Sequence, residues 1–375
     1  MDKEQFRFVA PCLFGIEGIL ADELRRMDAL DVEAQDGRVY FSGDINILAR
    51  ANINSRYAER ILLVLGEFEA RTFTELFDRV TEIPLEKYIS PTDAFPVKGK
   101  SRASKLFSVS DCQSIIKKAA VTRLGMQYNT DWFEETGETV QLQFFINKDN
   151  VVLMVDTSGD GLHKRGYRKN ATDAPLKETI AAAMAYTARL YPDTQLYDPF
   201  CGSGTILIEA AMMACNIAPG LNRSFAAEKF IFSNPDAWRE ERARAIGLID
   251  KSVPFMAYGS DIDPYAVELT MSNAVLAGVG EHVSATVGDV RDFTLPEETR
   301  ALVITNPPYG ERLLDADEAR VLIEQMGKVM PRQKGKRYYI ISPSEEFETV
   351  FGRPADKRRK LYNGMIKCQL YMYFR

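Results

Sequence analysis

Four short stretches in the second half of the chain carry residue types that could do chemistry. The first is DPFCGSGT (198–205), where Asp198 precedes Gly202-Ser203-Gly204. Glycines adopt positive φ and let a backbone approach a ligand closely. A dinucleotide fingerprint needs a third glycine where Leu207 stands, and a phosphate-cradling loop needs Gly-Lys-Ser/Thr, which is absent. A Gly-x-Gly with an acid just ahead of it suits a nucleoside carrying an amino acid better than a pyrophosphate. The second stretch is GSDID (259–263). An acid at the tip of a second strand can accept both hydroxyls of a ribose, and Asp261 is placed for this. Asp263 is placed instead to cap a helix opening at Pro264. The third, GDVRD (288–292), offers Asp289 as an acceptor for an adenine amine, or as a plain turn aspartate.

The fourth is TNPPYGER (305–312). Proline fixes φ and lacks an N–H, so Pro307-Pro308 makes a stiff loop. Such a loop can aim two oxygen acceptors, the Asn306 side chain and the Pro307 carbonyl, at one point. An exocyclic amine on a nucleobase presents two N–H donors and an attached flat ring. Two oxygens can hold those donors and turn the nitrogen lone pair toward an electrophile. Tyr309 can stack on the ring, a contact worth about 1–3 kcal/mol. Proximity and orientation then carry most of the catalysis, and no strong base is needed because the amine can lose its proton after attack.

These residues need elements to position them. APLKETIAAAMAYTARL (174–190) is Ala-rich and helical. From there, strand-like and helical stretches alternate: TQLYDPF, TILIEAAMMACNIA, VPFMAYGSDID, PYAVELTMSNAVLAG, VSATVGDV, ALVITNPP, EARVLIEQMGKVM and KRYYIIS. That alternation predicts a doubly wound, largely parallel sheet with the four stretches at the ends of successive strands. In KRRKLYNGMIKCQLYMYF, Asn363-Gly364 between two β-rich runs predicts a closing antiparallel hairpin. The N-terminal part reads as small α+β units: strands FRFVAPCL and GRVYFSG around the helix GIEGILADELRRMDA, then further strands and helices, with a hairpin centred in INKDNVVL.

Composition narrows the class. Among 375 residues, 46% hydrophobic and 27% charged content is ordinary for a globular chain of two or three domains. Five scattered cysteines and two histidines argue against a disulfide framework or a metal centre. The start lacks a basic, then apolar, leader, and no stretch nears the roughly 18 apolar residues of a membrane span, so a cytoplasmic protein is expected. The net charge is −6, so nucleic-acid binding requires local patches. Lys98, Lys100, Arg102, Lys105, Lys117, Lys118 and Arg123 face Asp111 alone within 98–123, and HKRGYRK (163–169) adds Lys164, Arg165, Arg168 and Lys169. Such runs are either solvated faces or an RNA grip.

The ordered set DPFCGSGT, GSDID, GDVRD and TNPPYGER resembles the motifs of class I S-adenosylmethionine-dependent methyltransferases, specifically those acting on amines through Asn-Pro-Pro-Tyr. LHKRGYR followed by APLKETIAAAM is similar to the entry into the catalytic domain of THUMP-containing RNA methyltransferases, most of all the bacterial large-subunit ribosomal RNA guanine-N2 family. The resemblance implies a Rossmann-like catalytic domain over 161–375, with a seven-stranded sheet ending in an antiparallel hairpin. It also implies a ferredoxin-like segment over 1–58 and a THUMP RNA-binding domain over 59–160. It implies that Asp198, Pro199, Gly202, Gly204 and Thr205 meet the methionine end of S-adenosyl-L-methionine, Asp261 with Ile262 the ribose, and Asp289 with Val290 the adenine. Asn306, Pro307, Pro308 and Tyr309 would hold the target base, Asn306 also bordering the cofactor. RNA, as 23S rRNA or a ribosome assembly intermediate, would be gripped by Lys98, Lys100, Lys117, Lys118, Arg123, Lys164, Arg165 and Arg168, with the chain acting as a monomer or weak homodimer. Two rivals stand. An N6-adenine DNA methyltransferase would share the amine clamp, yet the residues after Tyr309 are taken up by the remaining α/β elements. A non-catalytic RNA-binding protein would have no use for four intact motifs.

Overall fold

The computed structural model describes residues 4–168, 176–191, 193–297, 300–308, 316–364 and 366–374. Its first half contains β1 (Phe6–Pro11), α1 (Glu17–Arg26), β2 (Leu30–Gln35), β3 (Arg38–Gly43), α2 (Ile45–Asn54), β4 (Leu62–Glu69), α3 (Phe73–Glu82), β5 (Val97–Arg102), α4 (Val109–Tyr128), β6 (Leu142–Asn147) and β7 (Asn150–Asp156). The α+β units expected here share one seven-stranded sheet, ordered β2-β3-β1-β4-β7-β6-β5. β4 is the joint: it pairs with β1 at Leu62 and Leu63 and with β7 from Leu62 to Glu69. The β6–β7 hairpin turns through Lys148 and Asp149, with φ of 52° and 66°. Two left-handed residues are the mark of the type I′ turn, whose twist matches that of paired strands.

The second half contains α5 (Glu178–Ala188), β8 (Gln195–Asp198), α6 (Thr205–Ala214), α7 (Pro235–Gly247), β9 (Met256–Asp261), α8 (Pro264–Leu276), β10 (Val283–Val287), β11 (Ala301–Thr305), α9 (Ala316–Val329), β12 (Lys336–Ser342), α10 (Phe347–Phe351), β13 (Lys357–Asn363) and β14 (Ile366–Tyr373). The sheet order is β10-β9-β8-β11-β12-β14-β13. All pairs are parallel except those made by β14, which runs antiparallel to β12 and β13. β11 is buried at every residue, as a central parallel strand must be when both faces are covered. The closing hairpin forms, but Asn363 pairs with Ile366. Pairing therefore extends through Asn363, one residue further than the Asn-Gly signal suggests, and Gly364 takes the left-handed conformation at φ 64°.

The two sheets are joined by packing and by buried polar bonds. One apolar cluster runs from Phe8 and Leu48 through Ile53 and Tyr57 to Met184 and Leu207. Gly220 N–H donates to the Ile53 carbonyl at 2.8 Å, and a Cβ at Gly220 would sit 2.7 Å from that oxygen. Arg50 holds Glu241 through two bonds of 2.8 Å. Among the described residues, no helix is long and apolar enough to cross a membrane.

Candidate active site

β8 and β11 are neighbours at the point where the strand order reverses, since the chain runs outward from β8 to β10 and then returns on the other side. A crevice opens at such a switch point, beyond the carboxyl ends of the strands. The four stretches singled out in the sequence end β8, β9, β10 and β11, so one edge of the sheet gathers them.

Asp198 ends β8 and is buried. Its Oδ1 accepts from Phe200 N–H at 3.1 Å and from the Thr305 hydroxyl at 2.7 Å. Burial pushes the carboxyl up to about 7; the bonds from Thr305 and Phe200 oppose the rise, and the Asp261 charge adds to it. Gly202 and Gly204 take φ of 54° and 82°. A Cβ on Gly204 would sit 2.9 Å from Thr270 Cγ2, so the loop has no room for a side chain there. Pro199 and Thr205 are buried at its two ends. Gly202 N–H donates to Asp261 Oδ2 at 2.9 Å, and Asp263 N–H donates to Asp261 Oδ1 at 3.1 Å. Asp261 is thus aimed by two backbone donors, and each oxygen keeps a lone pair for a ligand hydroxyl. Asp263 caps α8 through Tyr265 N–H, as its position before Pro264 suggests. Ile262, 68% exposed, borders the same strand tip.

Two residues that sequence reading missed hold the glycine loop from α8. Thr270 donates to the Gly202 carbonyl at 2.8 Å, and Asn273 donates to the Ser203 carbonyl at 3.0 Å. Their signal was a pair of polar residues three apart, and so on one helix face, within PYAVELTMSNAVLAG.

Asp289 follows β10 and is already engaged. It accepts from Arg291 N–H at 2.8 Å and Arg291 Nε at 3.0 Å, and that partner holds its carboxyl below the usual range. Val290 turns its side chain into a cluster with Val303 and Met326, which leaves only its main chain for a ligand. Asn306 follows β11. Its Oδ1 is buried and has no hydrogen-bond partner among the described residues, a costly state for an amide oxygen unless a ligand supplies a donor. Pro307 is buried and Pro308 half-buried. Tyr309 lies outside the described residues.

The cations expected to grip RNA separate into two groups. Lys98 and Lys100 point outward with Arg102 from the edge strand β5, and Lys118 is exposed on α4. Lys117 is bonded to Glu135 and lies 3.4 Å from the centre of the Phe95 ring, and Arg123 donates to Glu86 at 2.9 Å. The second patch lies only partly at the surface. Arg165 is 3% exposed and bonds Glu209, the Leu162 carbonyl at 2.7 Å and the Arg56 carbonyl at 2.6 Å. Arg168 is paired with the buried Glu178, Lys164 bonds Asp160 at 2.9 Å, and Lys169 lies outside the described residues. Arg165 is an interior residue that neutralises a buried acid, so its expected place on an outward RNA-facing surface is corrected, whereas the half-buried Arg168 lines an open cavity with Lys164 and Arg223.

The strand-order switch point, the glycine loop, the backbone-aimed Asp261 and the Asn-Pro-Pro end of β11 define a class I methyltransferase, and its cofactor is S-adenosylmethionine. The glycine cradle and the orphaned Asn306 oxygen fit that cofactor beside an amine. Residues 165–372 match the RMKL-like methyltransferase domain, and the chain belongs to that family. Residues 7–62 match the RlmL ferredoxin-like domain and 70–156 the THUMP domain. YpsC of Bacillus subtilis (strain 168), named as a candidate RNA methyltransferase, is 39% identical over 99% of this chain and 96% of its own. A Listeria monocytogenes protein described as a predicted N6-adenine-specific DNA methylase is 42% identical, with a TM-score of 0.93 over 99% of this chain and 96% of that one. The structure of SMU.472 complexed with SAH is 39% identical, with a TM-score of 0.92 over 100% of this chain and 99% of that one.

Proposed function

We propose that the protein methylates an exocyclic amine of a base in RNA, and that the base is guanine, at N2, in 23S ribosomal RNA. The observation that carries the amine clamp is the Oδ1 of Asn306 at the end of β11, buried and without a partner among the described residues, one residue from the Thr305–Asp198 bond. When bound, S-adenosylmethionine supplies an electrophilic methyl group on a sulfonium. The chain's own residues do the rest. Asp261 holds the ribose through its remaining lone pairs, and the loop at Gly202 and Gly204 makes room for the methionine end. Asn306 Oδ1 and the Pro307 carbonyl accept the two amine N–H groups, with Tyr309 on the base, so that the nitrogen lone pair faces the methyl carbon. An N–C bond forms as the C–S bond breaks, and the methylated nitrogen then releases one proton to solvent.

Names of relatives divide between RNA and DNA, and the N-terminal half favours RNA. It matches the THUMP domain and offers Lys98, Lys100 and Lys118 at its surface. In this reading residues 1–58 and 59–160 grip RNA, 161–375 catalyse, and the enzyme works in the cytoplasm as a monomer or weak homodimer. Methyl transfer should be compared on ribosomal RNA from a strain lacking the protein and on unmethylated DNA, and the product base mapped. Labelled N2-methylguanine in the large-subunit RNA is expected; N6-methyladenine in DNA alone would replace this reading with the rival one.

A further inference from the structure

A second cavity, of about 340 Å³, lies between α1 and α2 on one side and α5, α6 and α7 on the other. Met213 and Asn216 place it at the carboxyl end of α6. The glycine loop opens the other end of that helix, about 15 Å away for ten residues at the α-helical rise. The cavity is therefore separate from the catalytic crevice.

Its lining is strongly basic. Arg26, Arg50, Arg56 and Arg244 line it, and Glu23 is the single acid among the described lining residues. Glu23 has little attraction left to offer. Its oxygens accept from Ser55 Oγ at 2.7 Å and Arg56 N–H at 2.9 Å, and burial pushes its carboxyl up. Arg50 and Arg244 are fixed from outside by Glu241, and Arg50 also by Asp28 at 2.7 Å. Arg26 and Arg56 differ. Arg26 has the Tyr186 hydroxyl at 3.4 Å and lies over that ring at 5.4 Å. Arg56 is 9% exposed; one terminal nitrogen donates to the Ile217 carbonyl at 2.8 Å, while the other is buried without an acceptor among the described residues. A buried guanidinium nitrogen lacking a partner is costly, and an anion relieves it. Tyr57 and Tyr186, edge to face at 5.8 Å, add an aromatic wall.

We propose that this cavity binds a phosphate group carried by a nucleotide-sized ligand, with Arg56 and Arg26 as its donors. Guanidinium forks match phosphate oxygens in pairs, which favours phosphate over a simple halide. The volume lies at the small end of ligand pockets and suits a mononucleotide rather than a folded RNA helix.

The test follows thermal stability of the full chain against inorganic phosphate, GMP and a short RNA lacking a terminal phosphate, with sodium chloride matched for ionic strength. A ligand that binds only the native state raises its melting temperature saturably. Saturable stabilisation by phosphate and more strongly by GMP is expected, undiminished by S-adenosylhomocysteine. The midpoint should weaken at least tenfold in Arg26→Ala and Arg56→Lys. If Arg56→Lys does not fold, Arg26→Ala, whose side chain is exposed, decides alone. The proposal is overturned by shifts no larger than the salt control, by unchanged midpoints in Arg26→Ala, or by displacement with S-adenosylhomocysteine. Binding of the RNA alone also overturns it, and would make the cavity part of an RNA-facing surface.

Discussion

The Thr305 hydroxyl donates to Asp198 Oδ1 at 2.7 Å, and both side chains are buried. This one bond ties the strand end that leads into the glycine loop to the strand end that carries Asn306. Parallel pairing of β8 with β11 brings the two ends together. In the proposed reaction the cofactor loop and the base clamp are therefore tied through two adjacent strand tips. Thr305→Val keeps the shape and removes the donor. At pH 8 it should cost about 1–3 kcal/mol of stability, since a buried carboxylate loses a bond. Turnover should fall roughly tenfold or more as Asn306 loses its anchored neighbour. Urea unfolding and single-turnover methylation measure the two effects; an unchanged rate would mean that the bond has no share in positioning.

Asp198 also sets a pH dependence. Its folded value of about 7 lies above the ordinary 3.8, so the native state binds the proton more tightly than the unfolded chain. The Asp198 contribution to stability is then fully present below about pH 4 and is lost as pH rises toward and through 7. Glu23 and Asp156 are buried acids shifted the same way, so the comparison must be made by difference. Wild type minus Asp198→Asn should show stability falling between pH 4 and 7, by an amount on the order of a few kcal/mol. Affinity for the cationic cofactor should move oppositely, tightening in wild type as Asp198 ionises near pH 7. Calorimetric titration at pH 6 and 8 checks this, and equal affinities would place Asp198 outside the electrostatics of binding.

Much of this site was legible because its signals are local. β11 announces itself as ALVIT, Asp263-Pro264 as a helix start, and the acids as strand ends. The errors arise where distant partners decide a residue's place or where the local apolar pattern is weak. Nothing within HKRGYRK reveals that Glu209, 44 residues from Arg165, takes that guanidinium into the interior. β2 went unread because LDVEAQ is an exposed edge strand with little apolar patterning. α7 escaped because PDAWREERARAIG buries only Ala237, Trp238, Glu241 and Ala245. The hairpin turn slipped by one residue because the register of β13 against β14, and not the Asn-Gly pair, fixes where pairing ends.

Asn306→Ala separates catalysis from folding. The wild-type amide oxygen is buried and unpartnered among the described residues, so its removal should leave the melting temperature unchanged or slightly higher. Turnover should fall on the order of 100-fold while S-adenosylmethionine affinity stays within a few-fold, because the missing interaction belongs to the base. Rapid-quench methylation and calorimetry provide the two readouts. A large loss of cofactor affinity would move Asn306 from the amine clamp to the cofactor pocket.

The cations that looked alike in the sequence should now behave differently. Lys98 and Lys100 are exposed on an edge strand, so the double substitution to Ala should leave stability within about 0.5 kcal/mol. It should weaken RNA binding and make its salt dependence shallower, by about 0.7–0.9 in the log–log slope for each phosphate no longer neutralised. Arg165→Ala should do the reverse. It strands Glu209, which is 0% exposed, and cutting one member from a buried pair costs about 3–5 kcal/mol. Where the variant remains folded, its salt slope for RNA should match wild type, because the Arg165 fork is engaged by Glu209 and by the Leu162 and Arg56 carbonyls. A shallower slope for Arg165→Ala with unchanged stability would return that arginine to the RNA-binding surface.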